Sequence, residues 1–235
     1  MSSESVESLP QLSDGELQLL RQRGRVLLLL DAAERAAVAP LSTDRLHTLA
    51  FLADVLSPVW NLSAFDQVVL KSSGGPFFPD LQREMDRLVA AGLLEVTKIR
   101  YVTRPNEGAR IEGCYGLRFG SPHLEALLAR LGARGESDAL DPNDFKVHAF
   151  LVELAGAIAR LSADELDRAA AADVTYSDRQ IDNNNLIYMT SPSRSSRSAD
   201  TAERFATFMP QGANLSPGEK LYLYATYLGR RVHAG

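Results

Sequence analysis

The sequence predicts a mainly α protein with a small β wing. Three observations carry that expectation. First, apolar residues recur at helical spacing: Leu17, Leu20, Val26, Leu27, Leu30 and Ala33; then Leu46, Leu49, Leu52, Ala53 and Leu56; later Phe145, Ala149, Leu151, Val152, Leu154, Ala155 and Ile158. Second, serines stand where helices would begin, with Glu three residues on, at Ser13/Glu16, Ser162/Glu165 and Ser216/Glu219. Third, strand-like segments cluster in one place, around the turn residues Arg104-Pro105-Asn106-Glu107-Gly108.

In chain order, residues 1–12 are rich in Ser and Glu and are expected to be disordered. Ser13 caps a first helical segment that ends near Pro40, and Gly24 is expected to split it in two. Ser42 caps a second helix, which Pro58 ends. Val59-Trp60-Asn61-Leu62-Ser63 reads as an apolar corner, 67–71 as a short strand, and Ser72-Ser73-Gly74-Gly75 as a turn. A third helix starts near Pro79, with Leu81, Met85, Leu88 and Val89 inward and Gly92 as its left-handed cap. Residues 93–102 and 110–119 then read as the two strands of a hairpin. Helix, helix, short strand, helix, strand, turn, strand is the order of a winged helix-turn-helix, the fold expected for residues 13–119.

Residues 120–235 read as a helical C-terminal part. Ser121-Pro122 opens a helix, 132–141 is a polar linker, and a long helix begins at Pro142. An Ala-rich helix follows Ser162. A flexible loop is expected at 175–199, where Asp182-Asn183-Asn184-Asn185 and a Ser/Arg-rich run lie, and two helices at 201–209 and 217–232 close the chain.

Composition excludes several functions. The chain has 235 residues, and 25 Lys and Arg against 30 Asp and Glu give a net charge of −5, which argues against coating nucleic acid by charge alone. The single cysteine, Cys114, excludes an internal disulfide framework and fits a reducing, cytoplasmic compartment. The first residues, Met1-Ser2-Ser3-Glu4-Ser5-Val6-Glu7, are acidic where a secretory leader is basic. The apolar run 26–30 falls far short of the roughly 20 residues that cross a bilayer, so no membrane partner is expected.

No catalytic or cofactor signature stands out. His47, His123, His148 and His233 lack metal-ligand spacing to one another or to Cys114. Residues 72–75 lack the phosphate-loop pattern, and no nucleophile elbow occurs. His47 is read as a helix-surface residue and Cys114 as a buried small hydrophobe. The expectation is a non-enzymatic protein without metal or cofactor.

Two binding roles lead; a third, a small-molecule-sensing regulator with its ligand in the C-terminal helical part, has no polar cluster in the sequence to mark it. The aromatic residues Trp60, Phe77 and Phe78, and the last helix with Tyr222, Tyr224, Tyr227, Arg230 and Arg231, are candidate protein contacts. That helix is apolar on nearly every side, so it is either buried in its own domain or docked on another chain. The alternative is a DNA-binding transcription regulator, with Arg83, Arg87, Lys98, Arg100, Arg104 and Arg110 meeting phosphates. Residues 41–119 hold nine basic and nine acidic side chains, so such a reader must gather its cations on one face.

Three segments also resemble a known group. They are 41–57 followed by Pro58-Val59-Trp60-Asn61-Leu62-Ser63; Gly75-Pro76-Phe77-Phe78-Pro79-Asp80-Leu81-Gln82 with Leu88-Val89-Ala90-Ala91-Gly92-Leu93; and Leu215-Ser216-Pro217-Gly218-Glu219-Lys220-Leu221-Tyr222-Leu223-Tyr224. Together they resemble the middle components of bacterial ABC-three-component systems, which include Lamassu-type anti-phage defence. The similarity covers most of residues 25–232, and its motifs are structural. It implies a small non-enzymatic subunit that bridges an SMC-like ABC ATPase and an effector, often a nuclease, and restrains the effector until foreign DNA is sensed. It brings no catalytic residue to this chain.

Overall fold

The computed structural model describes residues 13–66, 68–104, 108–139, 141–189, 196–210 and 214–234. The chain is mostly helical, with two small antiparallel sheets. The expected disorder of 1–12 concerns residues outside that set, as does the side chain of Glu16.

Helix α1 (Asp14–Arg35) is continuous through Gly24, contrary to the expected break. Gly24 is there for packing. A Cβ on it would stand 3.1 Å from Leu131 Cδ2, so the missing side chain lets the two segments close up. Val26, Leu27, Leu28, Leu29, Leu30, Ala32 and Ala33 are all buried. A helix buried all round needs cover from every side. Helix α2 (Thr43–Leu56) follows strand β1 (Leu41–Ser42), and the Ser42 hydroxyl caps it by accepting from the Arg45 N–H at 3.4 Å. Helix α3 (Pro79–Ala90) starts on proline and lies along α1, and Gly92 follows it at φ 71°.

The first sheet orders its strands β1, β5, β4, where β4 is Leu94–Arg104 and β5 is Gly108–Leu117. The second sheet was not expected. In it, β2 (Val68–Ser72) lies between β3 (Gly75–Phe77) and β6 (Leu186–Tyr188). Strand β6 falls within the segment expected to be a flexible loop. Three long-range bonds organise it: Lys71 Nζ donates to the carbonyls of Asp178 (2.9 Å) and Ile181 (2.6 Å), and the Tyr176 hydroxyl donates to the Ser72 carbonyl at 2.6 Å. Within the same range, 190–195 lie outside the described residues.

The C-terminal helices are α4 (Pro122–Arg130), α5 (Pro142–Ile158), α6 (Ala163–Ala172), α7 (Arg197–Arg204) and α8 (Pro217–Ala234). The capping box at Ser162 and Glu165 forms in both directions, as expected. Helix α5 packs on α1, and α8 packs on α5, α6 and α7, so both halves of the sequence contribute to one apolar core.

Two buried polar clusters pin these contacts. Asp31 on α1 accepts hydrogen bonds from His148 Nε2 on α5 (2.8 Å), Arg134 (2.8 Å) and Arg35 (2.7 Å). Burial alone would raise the Asp31 carboxyl, but these three donors outweigh it and hold the group well below the usual carboxylate range. At the other end, the fully buried Asp173 accepts from the Tyr224 hydroxyl on α8 (2.6 Å), from Ser198 on α7 (2.8 and 2.9 Å to its two oxygens) and from the N–H groups of Thr175 and Tyr176. Burial still pushes its carboxyl upward.

Two outcomes follow. Tyr224→Phe leaves a buried carboxylate one donor short and lowers stability by about 1–3 kcal/mol, read as a lower urea midpoint at unchanged slope. Asp31 binds its proton less readily folded than unfolded, so the unfolded chain takes up more protons in acid. Stability therefore falls as pH drops below the ordinary carboxylate range near ~4, and Asp31→Asn flattens that fall in thermal melts taken across pH.

Candidate protein-docking surface

The residues expected to meet a partner are mostly committed to the chain's own core. Phe78 is only 2% exposed, and its N–H donates to His47 Nδ1 at 3.2 Å. Tyr224 is 0% exposed and bonds Asp173. Both are core residues, not contact residues, because Phe78 is buried where β3 gives way to α3 and Tyr224 lies on the inner face of α8. His47 is likewise buried rather than on the helix surface, within 3.3 Å of Gln82. Phe77 is half-buried against the His47 ring, and Trp60 is half-buried with its ring 6.0 Å from Phe150.

Helix α8 is folded onto its own domain. Leu221, Tyr224, Ala225, Leu228, Gly229 and Val232 form its inner face. Tyr222 is half-buried under the Arg160 guanidinium at 4.4 Å. Tyr227 packs between Phe205 and Tyr224, and Arg231 donates to its hydroxyl at 3.2 Å. Of the residues expected to bind a partner, Arg230 alone is exposed.

An exposed apolar patch lies instead on the β4–β5 hairpin, while Phe208, Tyr188 and Phe119 are exposed elsewhere. Near the helices, the pairs Leu94/Leu117 and Val96/Tyr115 face inward, and Leu94, Leu117 and Tyr115 are buried. Toward the tip, Tyr101 pairs with Ile111 on the same face, and Ile99 lies beside them. There, among the described residues, no helix covers the sheet: Ile99 is 66% exposed, Tyr101 80% and Ile111 62%. One face of the hairpin is therefore core at its base and bare at its end.

A bulge creates that face. Two residues of β4, Lys98 and Ile99, stand opposite the single residue Gly113 of β5, and Lys98 takes a left-handed φ of 51°. A Cβ on Gly113 would lie 2.4 Å from Val96 Cγ1, so only glycine fits beneath the bulge. With strict alternation, Arg100 would oppose Ile111. The extra residue shifts the parity, so that Tyr101 opposes Ile111 and Arg100 opposes Glu112 at 3.4 Å.

The cations proposed for DNA are largely matched by carboxylates. Arg83 pairs with Asp80 at 3.0 Å, and Arg87 pairs with the buried Glu84, which Arg23 also meets at 2.8 Å. The exposed side of α3 thus sets Asp80 and Asp86 against Arg83 and Arg87. Lys98 and Arg100 are exposed, and the side chains of Arg104 and Arg110 lie outside the described residues. Cys114 is half-buried rather than fully buried.

A charge cluster that the sequence reading missed sits inside. Arg25 on α1 pairs with Asp54 (3.2 Å) and with Asp66, and its guanidinium lies between the rings of Phe65 (4.9 Å) and Phe78 (5.4 Å). Burial pushes the Asp54 carboxyl up to about 6, opposed by Arg25 and by the Phe65 N–H. This cluster ties α1 to α2 and the loop after it. Among the described residues no group of three metal-ligating side chains comes together, and no helix is long and apolar enough to cross a membrane. No family model, curated protein or solved structure matches this chain.

Gly113→Ala overpacks the bulge and costs about 1–3 kcal/mol. Combining it with Val96→Ala, which removes the clashing methyls, costs less than the two single losses added, and a double-mutant cycle in urea measures the difference.

Proposed function

We propose that this chain is a non-enzymatic accessory subunit, the middle component of a bacterial ABC-three-component, Lamassu-like defence complex. It bridges an SMC-like ABC ATPase and an effector. Its N-terminal part, 13–119, is a winged helix-turn-helix that serves protein contact. What supports the fold is the succession of α1, β1, α2, α3 and the β4–β5 hairpin, with the sheet order β1, β5, β4. Residues 57–78, which carry the β2–β3 hairpin between α2 and α3, depart from the usual short turn. The half-buried lone thiol of Cys114 is in keeping with a cytoplasmic setting.

The observation that carries the functional reading is the bare apolar end of the hairpin. Ile99, Tyr101 and Ile111 stand in water, and fully covering a large apolar side chain is worth roughly 1.5–3 kcal/mol. A partner protein supplies that cover, whereas phosphates do not. The rival, a DNA-binding regulator, has exposed Lys98 and Arg100 in its favour and the charge-neutral outer side of α3 against it.

Co-expression with the products of the neighbouring genes tests the proposal. The ATPase and effector are expected to elute with this chain from a sizing column. A chain that elutes alone beside them overturns the reading. A salt-dependent gel shift with the chain's own promoter, weakened by Lys98→Glu and Arg100→Glu, would support the rival instead.

A further inference from the structure

We infer that the partner docks by adding an extended, acidic strand to the outer edge of β4, with its apolar side chains beside Ile99 and Tyr101, extending the face that Ile111 shares. This rests on the docking role proposed above and names the kind of segment that fills it.

Strand β4 is the outermost strand of its sheet, 11 residues long, with no strand along its outer edge among the described residues. An edge of that length presents a row of open N–H and C=O groups. The bulge disturbs only Lys98 and Ile99, and from Arg100 to Arg104 the pairing with β5 is regular. A strand added there continues the ladder and carries every second side chain onto the bare apolar face. The backbone edge and the exposed apolar residues thus coincide over the same stretch.

Charge selects the occupant. Residues 98–112 contain Lys98, Arg100, Arg104 and Arg110 against Glu107 and Glu112, a local positive excess on a chain of net −5. A second copy of this chain fits poorly. Antiparallel self-pairing with both apolar faces on one side places residues of equal parity opposite each other. Centred on residue 100, it sets Arg100 against Arg100. Centred on 101 it sets Lys98 against Arg104, and centred on 102, Arg100 against Arg104. Like charges directly opposite destabilise a strand pair. An acidic strand gains where a second copy loses. Nucleic acid would meet the cations but leave both isoleucines without apolar cover.

Two measurements test this on the full chain. The probe is a synthetic peptide alternating Glu with Val and Ile, set against the same peptide with Lys for Glu and against a short duplex DNA. The acidic peptide is expected to shift the amide resonances of 100–104, slow their hydrogen exchange and bind at least about tenfold more tightly than the Lys peptide. Equal affinity for both peptides, protection elsewhere or none, or tighter binding of the duplex overturns the inference. Second, Tyr101→Asp with Ile111→Asp, checked by circular dichroism for a native spectrum, is expected to lose the peptide and to drop out of the co-expressed complex. If the wild-type chain and this variant both co-elute with the ATPase, the edge is not the docking site while the accessory role stands. If even the wild-type chain forms no complex, the accessory role falls and the peptide titration alone decides the edge.

Discussion

The structure is organised by a helix with no wet side. From Val26 to Ala33, α1 buries every residue. Such a segment is stable only when other elements surround it, because each uncovered apolar side chain forfeits its transfer free energy. Helices α3 and α5 both lie on it, and the base of β5 reaches it too. The two halves of the chain meet there, which explains why the linker at 132–141 does not separate two cores.

A helix enclosed in this way also carries its polar residues indoors, and each must find a partner there. Arg25 takes Asp54 and Asp66, and Asp31 takes His148, Arg35 and Arg134. The same logic governs Asp173 beneath α8. Buried pairs of this kind are weak evidence for added stability, since desolvation offsets much of their attraction. Their consequence is specificity of arrangement. Asp31 meets His148 only if α5 sits in one register on α1, and Asp173 meets Tyr224 only if α8 closes on α6 and α7.

Much of this was legible in the sequence wherever the signal was local. Ser42, Ser121 and Ser162 cap the helices they precede, Pro79 opens α3, and Gly92 sits at positive φ after it. What depended on distant residues was not. Strands β3 and β6 are three residues each and exist only because β2 lies between them. Gly24 looked like a break because its packing against Leu131 is invisible in one dimension. Phe78 and Tyr224 looked like contact residues because aromatic type does not tell core from interface; only burial does. The candidate site was missed for a sharper reason. Strict alternation from Leu94 and Val96 places Lys98, Arg100 and Val102 on the inner face, so Ile99 and Tyr101 read as belonging to the other side.

That parity shift links the fold to its proposed use. Without the bulge, the inner face of β4 would continue through Lys98, Arg100 and Val102, a hairpin end that places two cations in line. One additional residue, accommodated because position 113 has no side chain, turns the face over. Arg100 then finds Glu112, and the apolar line begun by Leu94 and Val96 resumes in Ile99 and Tyr101, which are exposed. Bulges commonly protect sheet edges by twisting them away from neighbours. Here the bulge lies at one end of the open edge and leaves the regular pairing of 100–104 intact, so it re-aims side chains without closing the edge. A hairpin shaped only for solubility would gain nothing from carrying two isoleucines and a tyrosine into water. A hairpin shaped for an extended protein segment gains the ladder from 100–104 and the apolar cover from the face around Tyr101.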